Sequence, residues 1–413
     1  MDTARIIACN IQSLLETEKI SIQELASYLG VTRQTLANYI KGNTVVDSVK
    51  LVEIAKYFGV SIDALTSTPD VSNRPAILFR TALNYHDATD EFSDRIAEYV
   101  YRYNLLAKLT GKNVNFLPEQ YNLVLHSDNR SDLNINFDCT DYTDSKYKID
   151  PALEAEIESI ANEQRHLLGF EDQGAMFLIV ALQQRGINIV FFDFQSNDVS
   201  GLSLCDDIQG CFVFVNMQNN MPIERQIFTI AHEYAHLILH RPLYKKRLKQ
   251  YMGTTKKKNL LDAMADCFAG YLLCPRNKLL RYDSILRNFT SISELVPIKL
   301  DLQISLSSLM MALKRYGYIN SNVLSSYFAF IKKNKIDKAE PHPLSGEATV
   351  ASQFDILKTA EIKRMLRRAA QLDQLNVDDI RFFLNLSPES SSILFNEWCN
   401  GKMTESYDEF VIR

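Results

Sequence analysis

The chain has 413 residues, a formal charge of −5 and 46% hydrophobic residues. At roughly 100 to 200 residues per domain, this length predicts two to four domains with enough apolar residues to form real cores. The composition excludes a mainly disordered chain, because this much apolar and aromatic side chain offsets the entropy lost on folding. It also excludes a polycation, so any nucleic-acid contact must come from a local patch of the surface.

The start of the chain and the cysteines indicate the compartment. No run approaches the roughly 18 apolar residues of a membrane helix, and the first twenty residues do not resemble a signal peptide. We therefore expect a cytoplasmic protein without a membrane partner. The seven cysteines are scattered and none forms a Cys-x-x-Cys pair. This spacing predicts reduced core residues rather than disulfides or a thiolate zinc site.

The first 68 residues predict a compact domain of five short helices. Ser21 and Glu24 have the spacing of a capping box at the start of one helix, which Gly30 ends. Thr32 is a predicted N-cap of the next helix, and Asp47 begins the one after. The tight turn at Gly30 between two helices is typical of a helix-turn-helix.

Polar side chains at the start of the third helix predict a DNA-binding surface. After the apolar positions are assigned to the interior, Arg33, Gln34 and Asn38 project outwards, and such side chains suit hydrogen bonds to base edges in a major groove. The segment resembles the helix-turn-helix of phage-repressor-like (XRE) regulators. That resemblance implies that these three residues contact bases and that Thr32 and Lys41 hold phosphates.

The charge of this domain limits how it can bind DNA. Residues 1–68 carry six Lys and Arg against seven Asp and Glu. One copy would neutralise few phosphates, so we expect a homodimer on operator DNA. The alternative is a helical module that binds a protein.

The rest of the chain predicts a mainly α structure with one small β-sheet. We expect a connector at 69–150, a metallopeptidase domain at 151–285 and a helical region at 286–413. The periodicity predicts helices near 76–83, 90–109, 153–168, 173–185, 223–240 and 260–273, strands near 187–194, 202–205 and 211–215, and irregular chain or edge strands at 110–150.

A His-Glu-x-x-His string lies in the long helix predicted at 223–240. Residues four apart share a helix face, so His232 and His236 can direct ring nitrogens at one metal ion. Glu233 would lie beside that ion and accept a proton from an activated water, which is the chemistry of metal-assisted peptide hydrolysis. In a chain with seven histidines, such a string arises by chance on the order of one time in a hundred. The alternative is histidines that align without function.

A catalytic zinc site needs a third protein ligand. His240 lies about 12 Å along the helix axis from His232, too far to share one ion, so it is predicted as a core residue or one that supports a ligand. Asp262 and Asp266 are four residues apart on the following helix. We predict Asp262 as the third ligand and Asp266 as the acceptor that orients a ligating imidazole.

The combined motifs resemble the ImmA/IrrE family of zinc metallopeptidases over roughly 150–280. The resemblance rests on strands that end in Val213-Phe214-Val215-Asn216, the helix from Arg225 to His236 and the stretch Ala269-Gly270-Tyr271-Leu272-Leu273-Cys274-Pro275. It implies a zincin-like α+β core, a zinc cofactor and limited proteolysis of a repressor. Members of the family usually carry Glu at the position of Asp262, Asn at that of Asp266 and Met at that of Cys274.

A basic segment separates the two helices of the predicted zinc site. Seven Lys and Arg lie between Lys245 and Lys258, interleaved with tyrosines upstream. Such a segment guides an acidic substrate or a nucleic-acid effector, or it is a solvated loop.

Two functions fit these motifs. In the first, a DNA-bound zinc endopeptidase cleaves a repressor or antitoxin-like partner, with self-cleavage at 110–150 as a variant of that activity. In the second, a transcription factor uses the metallopeptidase fold only as a sensor or dimerisation module. The intact Glu233 favours the first function.

Overall fold

The computed structural model describes most of the chain. The described residues are 3–17, 20–58, 62–66, 77–79, 90–114, 116–127, 130–134, 149–195, 199–206, 209–217, 221–241, 260–333 and 340–400. The chain divides into two compact units, which are described one at a time. The first unit contains residues 1–74, 94–106 and 364–413, and the second contains 75–93 and 107–363.

The amino-terminal part of the first unit is a bundle of five short helices. They are α1 Thr3–Thr17, α2 Ile22–Leu29, α3 Arg33–Ile40, α4 Ser48–Phe58 and α5 Ile62–Thr66. Ser21 caps α2 by accepting from the Glu24 amide, and Thr32 caps α3 by accepting from the Thr35 amide. Gly30 ends α2 at φ 63°, a left-handed conformation that glycine adopts without strain. The predicted N-caps at Ser21 and Thr32 and the predicted turn at Gly30 are therefore confirmed.

The interior of this bundle is apolar and closed. Leu25, Leu36 and Ile54 are fully buried between the helices. The Asn10 side-chain amide donates to the Leu65 carbonyl at 3.0 Å and so ties α1 to α5. The bundle therefore has an apolar core of its own.

The remaining described helices of the first unit come from distant parts of the chain. They are residues 94–106 of α6 Asp90–Thr110, the end of α16 Ala348–Gln371, and the helices α17 Val377–Leu384 and α18 Pro388–Asn400. Tyr99 on α6 stacks on Phe382 at 5.7 Å, and Arg102 lies over the same ring at 4.1 Å.

The second unit contains a four-stranded sheet. Its strands are β1 Ile77–Phe79, β4 Asn188–Phe192, β5 Gly201–Asp206 and β6 Gly210–Asn216, in the order β1-β5-β6-β4. β4 is parallel to β6, whereas β5 is antiparallel to both β6 and β1. A separate two-stranded sheet pairs β2 Val124–Ser127 with β3 Arg130–Asn134.

Helices form most of the rest of the second unit. They are α7 Pro151–Leu167, α8 Phe177–Gln184, α9 Ile223–Leu239, α10 Leu260–Leu273, α11 Arg276–Leu280, α12 Asp283–Leu286, α13 Val296–Leu302, α14 Leu306–Arg315 and α15 Ser321–Lys333, with 3-10 turns at Ile292–Leu295 and Leu344–Gly346. α8 and α9 contact the sheet, and α9 packs against β5, β6 and α10, so α9 runs through the centre of the unit. The core includes Phe212, Phe214 and Phe268, which are fully buried.

The fold class is confirmed: the chain is mainly helical, with a five-helix bundle at its start and a small sheet in an α+β core. The strands near 187–194, 202–205 and 211–215 and the helices near 223–240 and 260–273 are all present. The helix predicted near 76–83 was wrong at Ile77–Phe79, which form β1, because pairing with β5 outweighs the local pattern. The basic segment Lys245–Lys258 lies outside the described residues.

The prediction of reduced cysteines was wrong for two of them. Cys205 and Cys211 form a disulfide across the β5–β6 hairpin, where they are cross-strand partners with Cα atoms 4.1 Å apart. Strand pairing places them together, and their spacing in the sequence carries no sign of it. Cys267 and Cys274 are free and buried, as predicted, whereas Cys399 is free but exposed and so is not a core residue.

In the part of the chain that the structure describes, no single helix is both long and apolar enough to cross a bilayer. One bent pair, Ile292–Leu302 with Leu306–Arg315, passes that test by length and composition only.

Candidate metal centre

The metal centre is built on α9, which lies between the sheet and α10. The helix follows Pro222 and carries Glu224 in its first turn. A negative charge there stabilises the helix, because the unpaired amide groups make its amino-terminal end partly positive. Nearly every side chain from Ile223 to Leu239 is buried. Polar residues in this helix therefore need partners inside the protein.

Three side chains converge at the interface of α9 and α10. The Nε2 atoms of His232 and His236 are 3.1 Å apart, and Oδ1 of Asp262 lies 3.9 and 3.7 Å from them. A zinc ion about 2.0 to 2.2 Å from each donor in tetrahedral geometry would place donors about 3.3 to 3.6 Å apart. The three observed separations scatter around this range, so the donor set fits one small divalent cation. These three residues form the one His, Cys, Asp and Glu cluster of metal-binding geometry in the described chain.

Two further side chains orient the imidazoles. Nδ1 of His232 lies 2.8 Å from Oδ1 of Asp266, and Nδ1 of His236 lies 2.8 Å from Nδ1 of His240. If each Nε2 supplies a lone pair to a metal, each Nδ1 carries the hydrogen and donates it, to a carboxylate in one case and to His240 in the other.

The burial of His240 suits its role as that acceptor. Desolvation, together with the nearby His232, lowers the pKa of His240 to about 3. Its ring therefore stays neutral at ordinary pH and keeps a lone pair on Nδ1 for the His236 N–H. A cation at this position would repel a bound metal, and burial prevents it from forming.

Glu233 lies in direct contact with strand β5. Ser203 donates from Oγ to Oε2 of Glu233 at 2.6 Å, and both residues are fully buried. The approach of β5 to α9 depends on Gly201, because a Cβ at that position would meet Cγ2 of Thr229 at 2.3 Å and the Phe214 carbonyl at 2.9 Å. The missing side chain lets the strand lie against the helix, and the hydroxyl two residues later reaches the carboxylate.

A buried ion network fixes the start of the same helix. The Lys299 ammonium is fully buried and donates to Oε1 of Glu224 at 2.8 Å and to Oε1 of Glu340 at 3.0 Å. Glu224 also accepts from the Leu344 amide at 2.8 Å. The network anchors α9 from the end opposite to its histidines.

The predicted DNA-contacting residues lie on the surface of the helical bundle. Thr32, Arg33, Gln34 and Lys41 are exposed, and Asn38 is half-buried. Gln34 donates from Nε2 to Oδ1 of Asn38 at 3.4 Å along one face of α3. Gln34 and Asn38 therefore share one face of α3, and Arg33 is exposed in its first turn.

The structure brings five of the residues predicted for the metal centre together: His232, His236, His240, Asp262 and Asp266. Glu233 follows His232 on α9 and contacts Ser203 of β5. Their roles as ligands, base and supports stay predictions. Sequence reasoning missed Ser203, Gly201 and Lys299. A serine and a glycine in a strand, or a lysine in a helix, carry no local sign of a partner 28 to 75 residues away.

Two family models match this chain. Residues 182–313 match the peptidase M78 family, described as an IrrE N-terminal-like domain, and residues 11–65 match a helix-turn-helix family. No curated protein matches the chain significantly. The M78 match contains all the residues of the centre and extends to α14, past the boundary predicted at 285. The chain therefore joins an XRE-type helix-turn-helix to an IrrE/ImmA-like region, as the sequence resemblance predicted.

Proposed function

We propose that this chain, in which a helix-turn-helix precedes an IrrE/ImmA-like region, is a transcriptional regulator with zinc-dependent endopeptidase activity. It would bind operator DNA through residues 1–68 as a homodimer and cleave a repressor or antitoxin-like protein. Both activities belong in the cytoplasm. The single observation that carries the proposal is the convergence of His232, His236 and Asp262 beside a buried Glu233.

The residues of this centre suit peptide hydrolysis. Zinc, when bound by the two imidazoles and the Asp262 carboxylate, would lower the pKa of a water molecule towards about 7 and polarise a carbonyl group. Glu233 would take the proton of the attacking water and deliver it to the amine that leaves. Ser203 would keep the Glu233 carboxylate in one orientation, because its hydroxyl donates a hydrogen bond to Oε2.

The sensor function is the second candidate. It would use the same metal centre without hydrolysis, so metal binding supports both candidates. The position of Glu233 next to the first ligand favours hydrolysis, because a sensor needs no acid-base group there.

The deciding experiment compares the wild-type chain with Glu233→Gln, both loaded with zinc. Small repressors encoded next to the gene are the first substrates to incubate with each, and gels report cleavage. We expect a loss of about 10²- to 10⁴-fold in the cleavage rate with unchanged zinc content. Glu156→Gln is the matched control, because Glu156 is exposed on α7. Equal zinc content, no cleavage by either protein and an unchanged regulatory phenotype would leave the sensor function standing.

A further inference from the structure

Strand β5 contacts the candidate base and is second from one edge of the sheet. On one face, Ser203 touches Glu233 and Gly201 lies against α9. Along one of its two edges β5 pairs with β6, and along the other edge it pairs with β1. The edge of β5 that faces β1, called its outer edge, therefore belongs to the strand that touches the candidate base.

The backbone of Ser203 faces that outer edge. Cys205 and Cys211 are cross-strand partners with Cα atoms 4.1 Å apart, a spacing typical of pairs that exchange no backbone hydrogen bonds. Because the pattern alternates, Ser203 also turns its N–H and C=O away from β6. The register pairs Ser203 with Leu78 of β1. Leu78 and Ser203 are therefore the pair that exchanges hydrogen bonds between β1 and β5.

An exposed strand edge binds extended peptides by strand addition, with backbone hydrogen bonds providing the affinity. A strand added to β5 lies about 4.8 Å from it, one strand spacing from the serine that touches Glu233. A peptide bound there runs past the candidate catalytic group in the extended form that a protease requires. In this structure the chain's own residues 77–79 occupy that place.

We propose that the outer edge of β5 at Leu202–Leu204 is a binding site for an extended peptide, and that residues 77–79 fill it as a built-in substitute for substrate. The segment binds in antiparallel register, and substrate enters only after it leaves. The statement that the bound peptide is a substrate rests on the proposed peptidase function. The binding it describes is independent of catalysis.

The test uses a fluorescently labelled peptide with the sequence of residues 74–82, RPAILFRTA. Its affinity is measured by fluorescence anisotropy for the full chain, loaded with zinc and carrying Glu233→Gln so that no cleavage occurs. Adding Leu78→Pro removes the N–H that β1 donates to Ser203 and should free the edge. We expect this variant to bind the peptide at least tenfold more tightly than the same chain with Leu78 intact.

The matched control is Ile77→Pro. Ile77 pairs with Leu204, whose backbone groups face β6, so the N–H of Ile77 does not bond to β5. This variant should bind the peptide as weakly as the parent chain. Equal affinity for all three proteins, or tighter binding by the Ile77 variant than by the Leu78 variant, would overturn the proposal.

A second measurement needs no substitution in β1. Amide hydrogen exchange in the unmodified chain should show the Ser203 amide protected, because β1 covers it. Exchange of that amide at the rate of an open strand edge would overturn the proposal, as would cleavage of the wild-type chain within residues 77–79. The wild-type chain could hydrolyse nothing while the Leu78 variant binds the peptide more tightly than the Ile77 variant does. That outcome would support the binding site and count only against the peptidase function.

Discussion

The helix-turn-helix and the metal centre differ in where their polar side chains lie and in how far along the chain the hydrogen-bond partners are. In the bundle, Arg33 and Gln34 are exposed, and the side-chain hydrogen bonds of α3 join residues three or four apart. In the metal centre, His232 and Glu233 are buried, and their partners lie about 30 residues away. Function in the first region is therefore separable from stability, whereas in the second region each polar group depends on another.

The largest effect is expected where a buried charge loses its partner. Lys299→Met leaves Glu224 and Glu340 buried without the ammonium between them, and breaking such a pair costs about 3 to 5 kcal/mol. Urea unfolding of the full chain measures the loss. Arg281→Met is the control, because Arg281 pairs with Asp172 at the surface and its loss should change stability by less than about 1 kcal/mol. Equal losses in the two variants would remove the contrast between buried and exposed charges.

Removal of an imidazole support should weaken metal binding. Asp266→Ala takes away the acceptor of the His232 N–H, and we expect about 10- to 100-fold lower zinc affinity in competition with a chelating dye. The zinc affinity of Asp266→Asn should lie between those of the wild type and Asp266→Ala, since the amide oxygen of asparagine still accepts that hydrogen bond. Asp172→Ala, at an exposed ion pair with Arg281, should leave the affinity unchanged. An affinity that Asp266→Ala does not alter would show that His232 needs no support.

Substitutions on α3 should reduce DNA binding and leave the fold intact. Asn38→Ala and Arg33→Ala each remove one predicted base contact, worth about 1 to 3 kcal/mol of binding free energy. The probe is the duplex that the full chain selects from random sequences, at a stated salt concentration. Thermal unfolding should be unchanged. Lys56→Ala removes an exposed charge on α4 and serves as the control; an equal loss of affinity there would indicate binding by charge alone.

The smallest effect is expected at Thr32, the predicted phosphate contact that also caps α3. Thr32 caps α3 by accepting from the Thr35 amide at 3.0 Å, so Thr32→Ala should destabilise the helix by about 1 kcal/mol. Faster amide hydrogen exchange in α3 would report the change. Thr32→Ser keeps the acceptor and should exchange as the wild type does. Identical exchange in the alanine variant would mean that the cap contributes nothing to stability.

The sequence predicted the elements of the metal centre better than their support. His232, Glu233 and His236 follow from helical periodicity, because residues four apart on one helix must share a face. Asp262 and Asp266 required the further assumption that the next helix packs against the first, and the structure places both there. Ser203 and Lys299 were missed because their partners lie on other elements, where no local pattern identifies them.

Local signals and long-range contacts thus determined different parts of this protein. The sequence alone determined the helical bundle, its caps and the metal-binding face of α9, since a helix and its caps depend on residues three or four apart. Only the tertiary structure decided that residues 77–79 form a strand, that Cys205 meets Cys211 and that Ser203 reaches Glu233. An apolar run such as Ile77-Leu78-Phe79 fits a helix or a strand equally well, and the free energy of pairing with a distant edge selects between them.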